Sequence, residues 1–358
     1  MRVLNTLPQA DLRATAASAI ASEAAGYDGL LTMENKHDPF LAHAIAAVNT
    51  ERVELGTSVA IAFPRSPMVV ANACWDLQNA SRGRFVLGIG PQIRPHNEKR
   101  FSVKWTAPAP RLREYVQALR AIWTTWETGE KLDFRGQHYT FTLMPPYFMP
   151  PSTGQKMVPV TLAAVGEHSL RLAGEVADGV RLHGFSTRRY IEEAIIPRVR
   201  EGMARTGRTR ENFEITGGGF VATGKNDEAT AKAFEIVRGR VAFYGSTPGY
   251  WGVLEMHGYG DLGRELNAMS KAGKWNEMAG RVSDDLVHLF AAVGTHRDIA
   301  ARITERFGGV SDALNLRADP SAAGGDVPPD VIQEIKRIAT PFQGYQTAWT
   351  APKSNRVD

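Results

Sequence analysis

The segment Arg84-Phe85-Val86-Leu87-Gly88-Ile89 distinguishes the two folds that this sequence could adopt, a barrel and an open doubly wound sheet. The segment is a short apolar run, typical of a buried strand, and it is the fourth such run in the chain. A doubly wound dinucleotide-binding sheet carries Gly-x-Gly-x-x-Gly directly after its first strand. Here Gly88-Ile89-Gly90 lacks the third glycine and closes the fourth strand. The segment therefore favours a barrel over an open sheet.

Short apolar runs alternate with helical patterns on both sides of this segment. The strands are predicted at Arg2–Thr6, Asp28–Met33, Val53–Ile61, Arg84–Ile89, Val158–Ala164, Gly179–His183, Phe213–Thr223 and Asp312–Leu316. Two of the predicted helices, Ser283–Phe290 and His296–Phe307, follow each other late in the chain. Interleaved strands and helices over 358 residues predict an α/β fold, a (β/α)8 TIM barrel with insertions. An open doubly wound sheet is the alternative.

The chain is longer than the roughly 150 residues of a typical domain, but single α/β barrels routinely exceed that length. We therefore expect one barrel domain over residues 1–345, with a helical insertion at about 245–281. Residues 131–143 are predicted to form a hairpin, and residues 346–358 a disordered tail.

Composition is that of a soluble globular protein, with 43% hydrophobic and 22% charged residues. The 42 basic and 38 acidic residues are interspersed, whereas a nucleic-acid binder concentrates its basic residues in a stripe. The single cysteine, Cys74, excludes a disulfide framework. No run approaches the roughly 18 apolar residues of a membrane span, and the early strand leaves no room for a signal peptide. We therefore expect a cytoplasmic protein without a nucleic-acid or membrane partner.

Functional residues of a barrel gather where its strands end. Strand two ends in the densest polar cluster, Glu34-Asn35-Lys36-His37-Asp38. Glu34 fits a brace at the barrel mouth as well as a functional role, and that choice stays open. Lys36 and His37 are candidates for chemistry, as is His183 at the end of strand six. No pair of residues at a strand end has metal-ligand spacing, so no metal is expected.

Two other strand ends suit the close approach of a planar or phosphorylated ligand. They are Gly90-Pro91-Gln92 and Ala164-Val165-Gly166. The second runs directly into a predicted helix at Glu167, and the free N–H groups of a helix N-terminus bind phosphate. The carboxylate of Glu167 opposes this use unless it points away. Gly217-Gly218-Gly219 fits either a ligand approach or a bulge.

Five segments, taken in order, resemble the bacterial luciferase-like family of flavin and deazaflavin oxidoreductases. They are Glu34–Phe40, Leu55–Val59, Arg82–Gly90, Arg113–Trp123 and Leu172–Val180. The resemblance spans about residues 2–345. It implies a TIM barrel, a hydride-transferring coenzyme and a small-molecule substrate.

Within that family, the chain looks like the branch that uses coenzyme F420. Gly56-Thr57-Ser58-Val59 is similar to the segment in which those enzymes hold a cis peptide behind the deazaflavin ring, expected here at Ser58–Val59. The serine that many FMN-dependent members carry after strand five is absent, and Val165-Gly166-Glu167 stands there. The coenzyme-binding residues implied by the resemblance are Asn35, Lys36, Thr57, Ser58, Val59, Gly90, Pro91, Gln92, Ala164, Val165, Gly166 and Glu167. Arg94, Lys99 and Arg100 lie in a loop suited to the acidic coenzyme tail.

The chain also departs from the family pattern. Asn35 and Lys36 replace the usual acid or polar residue and histidine after strand two, and Ile93 replaces the acid of the sugar-phosphate dehydrogenases. The proton donor or substrate polariser is therefore open among Lys36, His37 and His183. A lysine in that role needs burial to lower its pKa.

Two alternatives follow from these departures: an FMN-dependent monooxygenase, and a coenzyme-binding barrel without turnover. The loops at 91–109, 144–157 and 245–281 are rich in aromatic residues and methionine. They suit either a large apolar substrate or the contact surface of a homodimer.

Overall fold

A computed structural model describes residues 1–316 and 327–346, and its centre is a closed parallel barrel. The barrel strands are β1 (Arg2–Thr6), β2 (Gly29–Thr32), β3 (Glu54–Thr57, extended by Ala60–Ile61), β4 (Phe85–Gly90), β5 (Val160–Ala164), β6 (Gly179–Leu182), β7 (Glu214–Gly217) and β8 (Ala313–Asn315). Strand β8 pairs with β1, and β3 pairs with β4, so the sheet closes on itself. The predicted (β/α)8 TIM barrel is confirmed, and the open-sheet alternative is wrong.

Helices surround the barrel and connect its strands. They are α1 (Thr15–Ala25), α2 (Leu41–Asn49), α3 (Pro67–Ala80), α4 (Pro108–Thr128), α5 (Glu167–Val176), α6 (Ile196–Ala204), α7 (Asp227–Gly245), α8 (Trp251–Met256), α9 (Gly260–Lys271), α10 (Asp284–Phe290), α11 (Ile299–Phe307) and α12 (Pro329–Lys336). Their apolar sides pack on the barrel, where Tyr115 and Trp123 of α4 are fully buried. No helix of the described residues is long and apolar enough to cross a membrane.

Strand seven is shorter than predicted. The run predicted at Phe213–Thr223 breaks after β7, because Gly217 and Gly218 take left-handed backbone angles, with φ of 85° and 93°. The chain then forms a separate strand, Phe220–Gly224, which pairs in parallel with Ala291–Thr295 outside the barrel. We call this pair the outer sheet.

The prediction was also wrong around the outer sheet. The strand Ala291–Thr295 was not expected, because its alanines extend the helical pattern of α10. The helix predicted from His296 begins only at Ile299. The hairpin predicted within residues 131–143 is confirmed, since Phe134–Arg135 pairs with Thr140–Phe141. Of the tail expected at 346–358, residues 347–358 lie outside the described residues.

The end of the barrel opposite its functional face is sealed by buried charges. Arg2 of β1 contacts Glu54 of β3 at 2.9 Å and Glu214 of β7 at 2.5 Å. Tyr345 donates its hydroxyl hydrogen to Glu214 at 2.6 Å. Burial opposes ionisation of Glu214, but Arg2 and Arg181 outweigh it and lower the pKa of Glu214 to about 2. The carboxylate therefore ties three strands and the C-terminal segment together.

Candidate active site at the barrel mouth

A cavity of about 670 Å³ opens at the carboxyl ends of the barrel strands, the end where barrel enzymes carry their active sites. We call it the mouth cavity. Of the residues predicted from the sequence, Asn35, Lys36, Ser58 and His183 line it. Its lining also includes Arg181, Thr216, Gly217, Gly218, Gly219, Arg240, Tyr244 and Asn315. Its size is that of a small-molecule site.

One wall of the mouth cavity is a bulge after β3. The Ser58–Val59 peptide is cis, as the resemblance implied. The bulge is fastened to β2, because Ser58 N–H donates to the Thr32 carbonyl at 2.7 Å and Glu34 N–H donates to the Val59 carbonyl at 3.4 Å. Ser58 and Val59 thus present a fixed surface at the barrel mouth.

Thr57 lies beneath this bulge rather than on its surface. Its hydroxyl donates to the Gly88 carbonyl at 2.6 Å and accepts from Gly88 N–H at 2.9 Å. A Cβ atom at Gly88 would lie 2.0 Å from the Thr57 carbonyl oxygen, so only glycine fits there. The buried side chain of Thr57 is thus occupied by the barrel wall.

Glu34 acts as a brace, the first of the two roles left open by the sequence. Its carboxylate accepts from the Ile61 N–H at 2.7 Å and from Arg65, also at 2.7 Å. Arg65 continues to Asp38 at 3.1 Å. These contacts join the loop after β2 to the extension of β3.

The tip of the loop after β2 is exposed. Asn35 accepts the Lys36 N–H on its own side-chain oxygen at 2.6 Å, and its carbonyl accepts from Arg100. Lys36 lines the mouth cavity, but it is exposed, so the burial that a lysine proton donor needs is missing. His37 is exposed and is not among the residues that line the cavity.

His183 is held in one orientation and one protonation state. Its ring stacks on Tyr250, with centroids 4.6 Å apart, and Tyr244 approaches it edge-on at 4.4 Å. Burial lowers the pKa of His183 to about 4, so the imidazole is neutral near pH 7. Its Nδ1 accepts from the Phe185 N–H at 3.0 Å. The proton of the neutral ring is therefore on Nε2, which makes Nε2 a hydrogen-bond donor.

Cations dominate the mouth cavity. Lys36, Arg181 and Arg240 line it, and within residues 1–316 and 327–346 no carboxylate does. Nε of Arg181 donates to Thr161 at 3.1 Å, and its Nη1 lies 3.8 Å from Glu214. Nη1 and Nη2 of Arg181 are buried without a hydrogen-bond partner in the described part of the chain. The Arg181 guanidinium is thus buried beneath the cavity and directed towards Glu214.

Sequence reasoning missed Arg181, Arg240 and Tyr244, and it placed Tyr250 only within the aromatic-rich segment 245–281. Arg181 was detectable, because it interrupts the apolar strand Gly179-Val180-Arg181-Leu182 at an inward position. Arg240 and Tyr244 lie four residues apart on α7, which puts them on one helix face. That spacing alone does not predict that this helix face lies at the barrel mouth.

A second groove, of about 680 Å³, lies at the start of α5. Gly166 and Glu167 line it with His168 and Ser169, and the N–H groups of the first helical turn have no partner within the helix. The Glu167 carboxylate contacts Arg171 at 3.0 Å and Arg198 at 3.3 Å, and these arginines lower its pKa. The two arginines thus compensate the negative charge of Glu167. The repulsion that this carboxylate would exert on a phosphate at the helix start is therefore reduced.

The remaining predicted residues line neither the mouth cavity nor this groove in the part of the chain that the structure describes. Ala164 is buried and Val165 exposed at the end of β5. Gly90 is packed tightly, because a Cβ there would lie 3.1 Å from both Ala163 and Val59. Pro91 and Gln92 follow it, and Gln92 accepts the Ile93 N–H at 2.9 Å. In the basic loop, Arg94 is paired with Glu98 at 3.0 Å.

Comparisons with known proteins agree with this architecture. Residues 2–312 match the model of a family described as luciferase-like monooxygenase. An uncharacterised protein of Mycobacterium tuberculosis is 48% identical over 303 residues, which are 85% of this chain and 89% of that protein. The 5,10-methylenetetrahydromethanopterin reductase of Archaeoglobus fulgidus is 28% identical over 312 residues, 85% of this chain and 86% of its own length.

A solved structure shares the same fold. The coenzyme F420 dependent tetrahydromethanopterin reductase of Methanopyrus kandleri superimposes with a TM-score of 0.75 at 20% identity, covering 94% of this chain and 97% of that one. At this identity the likeness concerns the fold alone.

Proposed function

The chain belongs to the luciferase-like monooxygenase family, and on this premise we propose that it is a coenzyme F420-dependent oxidoreductase. It transfers a hydride between the deazaflavin and an organic small molecule. The observation that carries the proposal is the convergence of Ser58, Lys36 and His183 on one mouth cavity. The start of α5, a suitable phosphate site, follows the neighbouring strand β5.

The residues present fit an anionic coenzyme with a flat polar ring. The bulge at Ser58 and Val59 offers a surface for one ring face. Asn35 and Lys36, which are exposed and line the mouth cavity, are available for an electronegative ring edge. The first turn of α5, with the charge of Glu167 compensated, receives the phosphate.

When bound, coenzyme F420 supplies hydride exchange at C5 of its ring, and the protein supplies orientation and electrostatics. His183 holds a proton at Nε2 and donates a hydrogen bond to the substrate atom that gains or loses charge. Because burial keeps the imidazole neutral, it acts as a polariser rather than as a charged acid. Tyr244 and Tyr250 hold it in place.

Coenzyme F420 is favoured over FMN by two features. The segment Gly56–Val59 and the missing serine near Val165 resemble the F420 branch. In addition, the relative from Archaeoglobus fulgidus is named a reductase. The description of the family itself favours the second candidate, an FMN-dependent monooxygenase.

Binding titrations of the purified protein separate these functions. We expect oxidised and reduced F420 to bind, FMN to bind at least tenfold more weakly, and reduced coenzyme to cause no oxygen uptake. Tight FMN binding with oxygen uptake would instead establish the monooxygenase. If F420 binds but no hydride is exchanged across a panel of carbonyl and imine substrates, the result supports the third alternative, a coenzyme-binding barrel that catalyses no reaction.

The polariser is tested by two variants of the same cavity. His183→Gln keeps an N–H donor in a different position, and we expect it to bind F420 normally but to lose most hydride transfer. Lys36→Ala is the comparison. If Lys36→Ala abolishes hydride transfer with F420 bound while His183→Gln retains it, the roles are reversed.

A further inference from the structure

Arg306 of α11 is a buried cation that forms no ion pair in the described part of the chain. Only 8% of its surface is exposed. Its Nη2 donates to the Ser186 carbonyl at 2.6 Å and to the Gly218 carbonyl at 3.0 Å. Its Nε and Nη1 have no hydrogen-bond partner, and no carboxylate forms an ion pair with it, within residues 1–316 and 327–346. A buried charge is normally paired, so a partner for Arg306 is missing.

The guanidinium nevertheless stays charged near neutral pH. Burial lowers the pKa of Arg306 to about 9; the charge of Arg188 lowers it further, and the carboxylate of Glu192, itself paired with Arg188, opposes this only in part. Near pH 7 the side chain therefore carries its full charge inside the protein. A bound anion would supply the missing counter-charge.

A cavity of about 630 Å³ lies against Arg306, and we call it the outer cavity. Four arginines and two glutamates line it, with His257 and His288. The two glutamates are already paired, Glu192 with Arg188 at 3.0 Å and Glu305 with Arg302 at 3.4 Å. The charge left uncompensated within the outer cavity is therefore positive and centred on Arg306.

The outer cavity also has an apolar wall. The outer sheet contributes Ala292 and Val293, and α10 contributes Leu289. Its volume lies in the range of small-molecule sites, which combine apolar walls with a few fixed polar groups. A purely inorganic ion would leave this wall without contact.

The outer cavity is distinct from the mouth cavity. The turn Gly217–Gly219 lines the mouth cavity, and Arg306 packs against that turn, with its Nη2 2.8 Å from the position of a Cβ at Gly219. Arg306 is not among the residues that line the mouth cavity, and none of the residues proposed to hold F420 lines the outer one.

We propose that the outer cavity is a second ligand site, for an organic oxyanion. A phosphate or carboxylate group lies next to Arg306 and Arg302, and the non-polar body of the ligand lies against Ala292 and Val293. The site is independent of the coenzyme, so it stands whichever coenzyme the barrel binds.

Two aromatic probes with the same body test the site and distinguish its two head groups. Phenyl phosphate and benzoate are titrated into protein carrying ¹³C-labelled histidine, at constant ionic strength. The ring signals of His257 and His288 report on the outer cavity, since both line it. A phosphate bound at the start of α5 is distinguished because it leaves these two signals in place.

We expect at least one probe to shift both signals with saturation in the wild-type protein. Arg306→Gln should weaken that binding at least tenfold. The affinity of Arg306→Lys, which retains the charge, should lie between those of the wild type and Arg306→Gln. Arg302→Gln, on the exposed rim, should weaken it about threefold or more. Arg281→Gln is the matched control, because Arg281 is an equally exposed arginine paired with Glu265 elsewhere.

The proposal is overturned if neither probe shifts the two histidines with saturation, or if Arg306→Gln binds as tightly as the wild type. Circular dichroism shows whether Arg306→Gln folds. If it does not, Arg302→Gln decides alone: a loss of affinity supports the site, and unchanged affinity overturns it.

Discussion

The imidazole of His183 lies nearly parallel to the ring of Tyr250, with centroids 4.6 Å apart and planes inclined by 20°. His183 follows a barrel strand, whereas Tyr250 belongs to the segment between α7 and α8. A residue outside the barrel thus fixes the orientation and the burial of a residue at its mouth. This arrangement links the outer helices to the chemistry proposed for the site.

Replacing Tyr250 with leucine should release the imidazole. We expect the pKa of His183 to rise from about 4 towards its ordinary 6.5, because the ring becomes more solvated. Hydride transfer should slow by roughly 10- to 100-fold, as expected for a misplaced group. Histidine NMR and single-turnover kinetics measure the two effects. Tyr259→Leu, in the same apolar cluster but away from His183, should change neither.

Stability should fall with acid because of His43. Burial lowers its pKa to about 4, while its ordinary value is 6.5, so the unfolded chain binds a proton before the folded one does. The free energy of unfolding therefore carries no penalty from His43 above pH 6.5. As the pH falls towards 4 it decreases, by on the order of 3 kcal/mol in total.

Denaturant unfolding between pH 7 and pH 4 checks this effect. Because the pKa of His183 is lowered to a similar value, the variant His43→Gln should reduce the pH dependence by its own share and leave the rest, whereas His168→Gln, at an exposed position, should keep the wild-type slope. A variant His43→Gln with the full wild-type slope would contradict the assignment.

The helix start at α5 can be tested at one residue. Glu167→Pro removes an N–H group where a helix tolerates proline, and Gly166 before it is already extended. Loss of one hydrogen bond to a charged phosphate, about 1.5 kcal/mol, should raise the Kd for F420 roughly tenfold. Glu167→Ala removes the carboxylate but keeps the N–H, so its affinity should not fall. Equal affinities of the two variants, measured by fluorescence titration, would exclude this phosphate site.

The brace at Glu34 should matter for stability. Arg65→Ala leaves the nearly buried carboxylate of Glu34 without its cation, at a cost of roughly 1–3 kcal/mol in the free energy of unfolding. Arg82→Ala breaks an exposed pair with Glu51 and should cost less than about 0.5 kcal/mol. Urea unfolding compares the two variants. Similar losses in both would mean that the brace contributes no more than a surface ion pair.

The barrel was predictable because short strand patterns alternate with amphipathic helices along the chain, and β1 was predicted at its observed bounds, Arg2–Thr6. The break after Gly217 was not predicted, because the three glycines fitted a bulge or a ligand approach as well, and apolar residues continue beyond them to Thr223. Asn35, Lys36, Ser58 and His183 were found because they follow strands directly. Tyr250 lies in the segment 245–281, which was expected to meet a substrate or form a dimer surface, but its stacking on His183 was not predicted. That contact and the approach of Arg240 to the mouth depend on tertiary packing that local sequence does not encode.

The hydrogen bond from Tyr345 to Glu214 bears on how the protein is made. On the ribosome, β1, β3 and β7 are synthesised well before Tyr345. Until that tyrosine leaves the exit tunnel, the carboxylate of Glu214 lacks its hydroxyl donor. A nascent chain that has not reached Tyr345 should therefore be less stable than a longer one, and a truncation just before this residue should unfold at a lower urea concentration.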